Sequence, residues 1–461
     1  NTLNNKDFEN KLWDINPDKC CEIRKVLPLK KELKFFDAWI SGRKSYQSSE
    51  RRALNVVEFQ NNKAVINPLV NFSQKDVEEY FLSYDLPRHP LSSQGYLSIG
   101  CKPCTSKCSN VNDMRSGRWI NQKKTEANYN IVRLMRGSFL VLGPLLAKFG
   151  KAKVSSPGGC SIGVRPIDIH LNALTKLGVK IKIVDGYVIA KAPQGLKGAK
   201  IRFPKISVGA TENLIIAASL AKGTTILKNC AIEPEIKDLT NFLLKIGCNI
   251  KWISKRSIRI VGVNEINESS YSVMFDRIEA GTYLIAAAVT EGNLKIKNVN
   301  PNILRSEVKI LRKIGSKVRI KKNEIHIIGS KNIKSVDIKT APWPGLATDL
   351  QAQIMVLLCR ANKKSTIQEN IFENRFMHVS ELNRMGAKIS IVGNRALITG
   401  NTKFAPAELM ATDLRASVSL VLAALSAKGK SVINRIYHLD RGYENIEKKL
   451  KKVGAQIRRL N

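Results

Sequence analysis

Leu177-Gly178-Val179-Lys180-Ile181-Lys182-Ile183 decides the fold. An apolar residue followed by glycine ends a helix, because glycine adopts the left-handed conformation that a C′ position needs. The alternation of Val and Ile with Lys that follows reads as a half-buried strand. The same junction recurs at Ile246-Gly247, Ile314-Gly315, Met385-Gly386 and Val453-Gly454. The glycines are 69, 68, 71 and 68 residues apart. Strand-like residues follow, as in Ala387-Lys388-Ile389-Ser390-Ile391, and a second strand such as Ile325 to Ile328 comes after a short turn. Helix starts recur too. Ala210-Thr211-Glu212, Ala347-Thr348-Asp349 and Ala411-Thr412-Asp413 each open a run rich in Ala, Leu and Ile. Threonine followed by an acid suits the free amides of a helix N-terminus. Each unit therefore reads helix, strand, helix, strand, strand, and units of this kind bury their apolar faces against one another. The class is α/β.

One more period back from Gly178 lands near residue 109, and there the pattern is absent. Gly100-Cys101-Lys102-Pro103-Cys104-Thr105 stands in its place. The grammar changes between Thr125 and Asn128, so residues 1–126 form a different segment, with the join at Glu126–Ala127. The chain of 461 residues has room for two or three domains.

The formal charge is +38, and it is uneven: residues 1–126 carry +6 and the remainder +32. The basic excess is spread over the repeats and only 6% of residues are aromatic, so it reads as solvated lysine-bearing faces rather than a nucleic-acid groove. It would still draw in anionic small substrates. The longest apolar runs, such as Phe139 to Ala147 and Ile354 to Cys359, are too short to span a bilayer. Of nine cysteines, Cys230, Cys248 and Cys359 lie in apolar contexts and should pack as small hydrophobes. No secreted disulfide framework is visible, which points to a reducing cytoplasm.

The loop Ser156-Pro157-Gly158-Gly159-Cys160-Ser161-Ile162-Gly163-Val164-Arg165-Pro166-Ile167-Asp168 joins a strand to a helix start. Three glycines and a proline prevent regular structure and leave backbone amides open. A thiol, a cation and a helix N-terminus then lie together, where anions bind. The spacing alone is equally consistent with a glycine-rich turn carrying an incidental cysteine.

Residues 128–461 resemble the UDP-N-acetylglucosamine 1-carboxyvinyltransferases, a family of enolpyruvyl transferases. The motifs that carry the resemblance are Pro157 to Cys160, Gly163 to His170, Ser207 to Asn213, Phe372 to His378, Ala411 to Ser417 and Asp440 to Glu444. The resemblance implies two inside-out α/β barrel lobes of three units each, here residues 127–274 and 275–461. It also implies transfer of enolpyruvyl from phosphoenolpyruvate to the sugar 3′-hydroxyl, in the cytoplasm, without a cofactor. Two anionic substrates need cations, and Arg136, Arg165, Arg375, Arg415 and Arg441 all fall on matching motifs. The family match makes Asp349 the base that takes the hydroxyl proton; its alternative reading is an N-cap, a role open to Asp413 too. Cys160 matches the residue that protonates the vinyl carbon, with Arg441 a third catalytic group. Nucleotide-sugar contacts carry over to Arg136, to Arg165, Pro166, Ile167, Asp168 and Ile169, to Lys205, Ile206, Ser207, Val208 and Gly209, and to Asp349 and Ile371. Arg375, Asp413 and Arg415 complete the substrate-binding set. His170 and His378 read as core or supporting residues. The family's first unit, with a Lys-Asn pair that contacts phosphoenolpyruvate, has no counterpart here, so an incomplete lobe with an uncovered sheet edge is expected.

Residues 1–126 resemble the C-terminal part of phosphoadenylyl- or adenylyl-sulfate reductases, as a small α+β fragment. Cys20-Cys21-Glu22-Ile23-Arg24-Lys25-Val26, Trp39 to Arg43, Leu86 to Leu91 and Gly95 to Cys104 carry it. The four thiols of Cys20, Cys21, Cys101 and Cys104 are the number a [4Fe–4S] cluster requires, and zinc is the second candidate. These reductases act through a cysteine in a Glu-Cys-Gly pattern, but Glu126 is followed by Ala127. The reductase activity should be lost even if a cluster is kept. Each segment lacks pieces its family carries, as a join of two truncated parts would produce.

Overall fold

The computed structural model describes residues 17–47, 54–60, 63–108, 125–127, 136–156 and 167–460, together with Trp13, Arg51 and Val132. Cys160, Arg165 and Pro166 lie outside the described residues, and of Arg136 only the backbone is described. The chain divides into two compact units, residues 1–124 and 125–461. The division falls just before the sequence join because Glu126 and Ala127 pair in parallel with Lys153 and Val154 of the second unit.

The first unit holds a three-stranded sheet in which Lys63–Ile66 lies between a parallel neighbour, Ala38–Ile40, and an antiparallel one, Val57–Gln60. Its longest described helix, Gln74–Ser83, starts with a capping box. Ser73 Oγ accepts from the Asp76 amide, and the Asp76 carboxylate accepts from the Ser73 amide. The element types are those of a small α+β fragment.

In the second unit the repeat becomes visible as geometry. Three four-stranded sheets share one order: a short strand, a parallel neighbour, then an antiparallel hairpin. They are built on Lys151–Ser155, Thr224–Lys228 and Ser365–Gln368 as the second strand. The five junction glycines have φ of 90°, 95°, 114°, 93° and 100°, the left-handed conformation required of them. Helices lie inside and sheets outside. Gln351–Cys359 is buried at every position, because Ala, Ile, Met, Val and Leu surround its axis rather than forming one stripe. It packs against Arg277–Val289 and Leu414–Ser426. Their apolar surface forms one core between residues 278 and 423. A separate core runs from Val132 to Ile260 around Val208–Ala218 and Leu142–Phe149. The second unit thus has two large apolar cores, each with its own centre. Cys230, Cys248 and Cys359 are buried in these cores, and burial pushes the Cys230 and Cys359 thiols up to about 12, which keeps them inert.

Three local expectations give way to packing. The helix Val208–Ala218 begins before Ala210-Thr211-Glu212, with Ser207 as N-cap accepting from the Ala210 amide at 3.3 Å. Thr211 is then free to receive the Ala231 amide at 3.1 Å. At Ala347-Thr348-Asp349 the backbone first makes a tighter turn, Thr348–Leu350, with no side-chain cap. After Gly454 no strand forms. Residues 455–460 run on irregularly, with Ala455 and Ile457 against the small core around Tyr443, because no described residue pairs with them. The sheet of Glu408–Met410 and Val432–Asn434 accordingly has two strands, and the one centred on Glu324–Ile328 has three. Among the described residues no helix is long and apolar enough to cross a membrane.

Candidate active site

A cavity of about 1730 Å³ opens in the second unit, lined by residues from Gly137 to Arg441. Its first wall is the start of the Val208–Ala218 helix. Lys205, Ile206, Ser207, Val208 and Gly209 line it, with Ile167 and Ile169 beside them. Amides at a helix start carry partial positive charge and face whatever anion enters. Gly209 packs closely here: a Cβ would stand 3.2 Å from His170 Cε1, so the imidazole would have to shift slightly. His170 is held from behind by Asn213 Nδ2 at 3.2 Å from its Nδ1 and by the edge of Phe139. Asn213 Oδ1 in turn accepts from the Gly143 amide at 2.7 Å, which ties two buried helices to the wall. Asp168 opens the next helix but is exposed and does not line the cavity.

The opposite wall carries the charges. Asp349 projects from the Thr348–Leu350 turn and caps nothing. Its Oδ1 accepts from Arg375 Nη2 at 2.6 Å, and its Oδ2 stands 3.5 Å from Arg415 Nε. Arg375 is buried behind the carboxylate and does not itself line the cavity. Asp413 is the residue that caps: its Oδ1 accepts from the Arg415 and Ala416 amides at 2.8 and 3.0 Å, which starts the helix that presents Arg415. Arg415 lines the cavity with its Nε and Nη1 lacking hydrogen-bond partners among the described residues. Arg441 and Ile371 complete this wall. The wall is braced by Glu369, whose buried carboxylate accepts from Thr340 Oγ1 and Thr348 Oγ1, both at 2.9 Å, and from the Ile371 amide at 2.8 Å. His378 lies buried behind Arg375, and burial pulls it down to about 4, so it is neutral at ordinary pH.

Between the walls lies a feature that motif reading does not reveal. Glu212, Glu233 and Glu235 line the same cavity. Glu235 Oε1 pairs with Arg277 Nε at 2.8 Å, and Glu233 Oε1 receives the amide of the distant Trp343 at 3.3 Å. Burial, reinforced by the charges of Glu235 and Glu233, pushes Glu212 up to about 7.

The arrangement is a polar cleft with a carboxylate between two guanidinium groups, a further arginine and a lysine nearby, and a helix start opposite. It suits an anionic ligand. Solved structures share the fold: the enolpyruvyl transferase NikO from Streptomyces tendae (TM-score 0.66, 23% identity, 74% of this chain and 81% of that one) and an EPSP synthase from Acinetobacter baumannii (0.55, 19%, 71% and 79%). Residues 108–450 match the family model described as EPSP synthase (3-phosphoshikimate 1-carboxyvinyltransferase), so the chain belongs to the carboxyvinyltransferase family. Within it, the similar curated relatives are UDP-N-acetylglucosamine 1-carboxyvinyltransferases. The protein of that name from Pelagibacter ubique is 73% identical over 340 residues, which is 74% of this chain and 82% of the relative. That from Geotalea uraniireducens is 54% identical over 335 residues, 73% and 80% respectively. Residues 1–107 match a phosphoadenosine phosphosulfate reductase domain.

Proposed function

We propose that residues 125–461 transfer the enolpyruvyl group of phosphoenolpyruvate to the 3′-hydroxyl of UDP-N-acetylglucosamine and release inorganic phosphate, in the cytoplasm, as the first committed step of peptidoglycan precursor synthesis. The observation that supports this most is the Arg375–Asp349–Arg415 constellation on the cavity wall, at 2.6 and 3.5 Å. Asp349 takes the hydroxyl proton as the sugar oxygen bonds to C2 of phosphoenolpyruvate. C3 gains a proton at the same stage, the part that the resemblance gives to Cys160. Loss of that proton and cleavage of the C2–O bond then expel phosphate and restore the vinyl group. Arg415 and Arg441 balance the charge of the phosphoryl and carboxylate groups. The helix start at Ser207–Gly209 takes the nucleotide phosphates. The expected result is release of phosphate from phosphoenolpyruvate by the full chain only when UDP-N-acetylglucosamine is present. Phosphate release that ignores the sugar nucleotide, or none at all, refutes it.

For the first unit, one observation favours a cluster reading. The Cys104 thiol is pushed up by burial and, in addition, by the neighbouring Cys101, Cys21 and Cys20, so the four sulfurs share one neighbourhood. Among the described residues no group of three or more His, Cys, Asp or Glu side chains is arranged to hold a metal ion. The donor set suits an iron–sulfur cluster in kind and number, but the four thiols are not arranged here as metal ligands. Iron and acid-labile sulfide near four each per chain after anaerobic purification are expected; their absence rules the cluster out.

A further inference from the structure

Tyr443 is the bulkiest side chain among the fully buried ones, and its hydroxyl is the meeting point of three elements. Gln353 Nε2, one turn after Asp349, lies 3.3 Å from it and 3.2 Å from Thr282 Oγ1, so one amide proton is shared between the two hydroxyls. Thr282 Oγ1, on the neighbouring buried helix, lies 3.0 Å away and itself donates to the Ile278 carbonyl at 2.8 Å. The threonine proton is therefore engaged, and the phenol proton must point to Thr282. The phenol oxygen is left to accept. The same Gln353 amide donates to the Asp349 backbone carbonyl at 2.9 Å. Arg415 lies over the tyrosine ring, its Cζ 5.3 Å from the centroid. A cation above an aromatic face is attracted to the ring, so the tyrosine holds the guanidinium in place.

We propose that Tyr443 is a positioning residue for enolpyruvyl transfer: through Gln353 it fixes the turn that carries Asp349, and through its ring and hydroxyl it fixes Arg415, so that base and cation keep one geometry. This rests on the proposed transferase reading. The phenol does not touch substrate. Its burial keeps it protonated, since burial raises its pKa, so the direction of the chain does not change at working pH.

Tyr443→Phe removes one oxygen and keeps the ring. For the full chain, kcat is expected to fall about tenfold while KM for UDP-N-acetylglucosamine stays within about twofold, because the opposite wall is untouched. Thr282→Val, which removes the hydroxyl's other partner at constant volume, should shift the same constant in the same direction. Unchanged kcat in both variants, or a parallel loss of kcat, KM and melting temperature, overturns the proposal. If wild-type turnover is undetectable, the failure belongs to the transferase reading, and a second measurement decides the present one. Phenylglyoxal modification read by peptide mass spectrometry should find Arg415 protected in wild type and exposed in Tyr443→Phe, with Arg375 unchanged. Equal protection of Arg415 in the two proteins overturns the proposal.

Discussion

Asp349→Asn is expected to lower kcat about a thousandfold, within the range by which a general base contributes. The substitution keeps the shape and removes the proton acceptor. It also takes the negative charge from between Arg375 and Arg415. Arg375 is nearly enclosed, so it becomes a buried cation without its counter-ion, and a drop in melting temperature is expected alongside. The two effects separate under saturating substrate below the melting transition, where only the loss of the base remains. A kcat within tenfold of wild type would show that another group takes the proton.

Glu212→Gln is expected to stabilise the protein at pH 8 and leave it unchanged near pH 4. The carboxyl has an ordinary value of 4.5 and is pushed up to about 7 in the folded chain. A raised value means that the folded state holds the proton more tightly than the unfolded state does. The stability contributed is complete below about 4.5 and is lost as pH rises through about 7. Two and a half units correspond to about 3 kcal/mol. Glutamine is neutral throughout, so the urea midpoint of the variant should exceed that of wild type at pH 8 and match it near pH 4. Equal midpoints at both pH values would place the ionised Glu212 in a solvated setting.

What could be read from the sequence follows sequence distance. The glycine junctions and the strands after them depend on neighbours within a few residues, and all five glycines take the expected conformation. The helix starts were less legible. Thr348-Asp349 and Thr412-Asp413 look alike, yet Asp413 caps its helix and Asp349 turns to Arg375, because only Asp349 meets a buried guanidinium from another loop. Glu212 read only as a helix-start acid, since the acids that shift it are gathered by packing alone. Tyr443 sits within a quoted motif, but its partners lie 90 and 161 residues away.

The second unit keeps two separate apolar cores, and among the described contacts beside the cavity are a carboxylate on an amide and a carboxylate on a guanidinium. Apolar surface sticks without regard to orientation, whereas these contacts are weak, directional and interchangeable with water. Contacts of this kind set the angle at which the cavity walls face one another, which apolar packing alone would leave free.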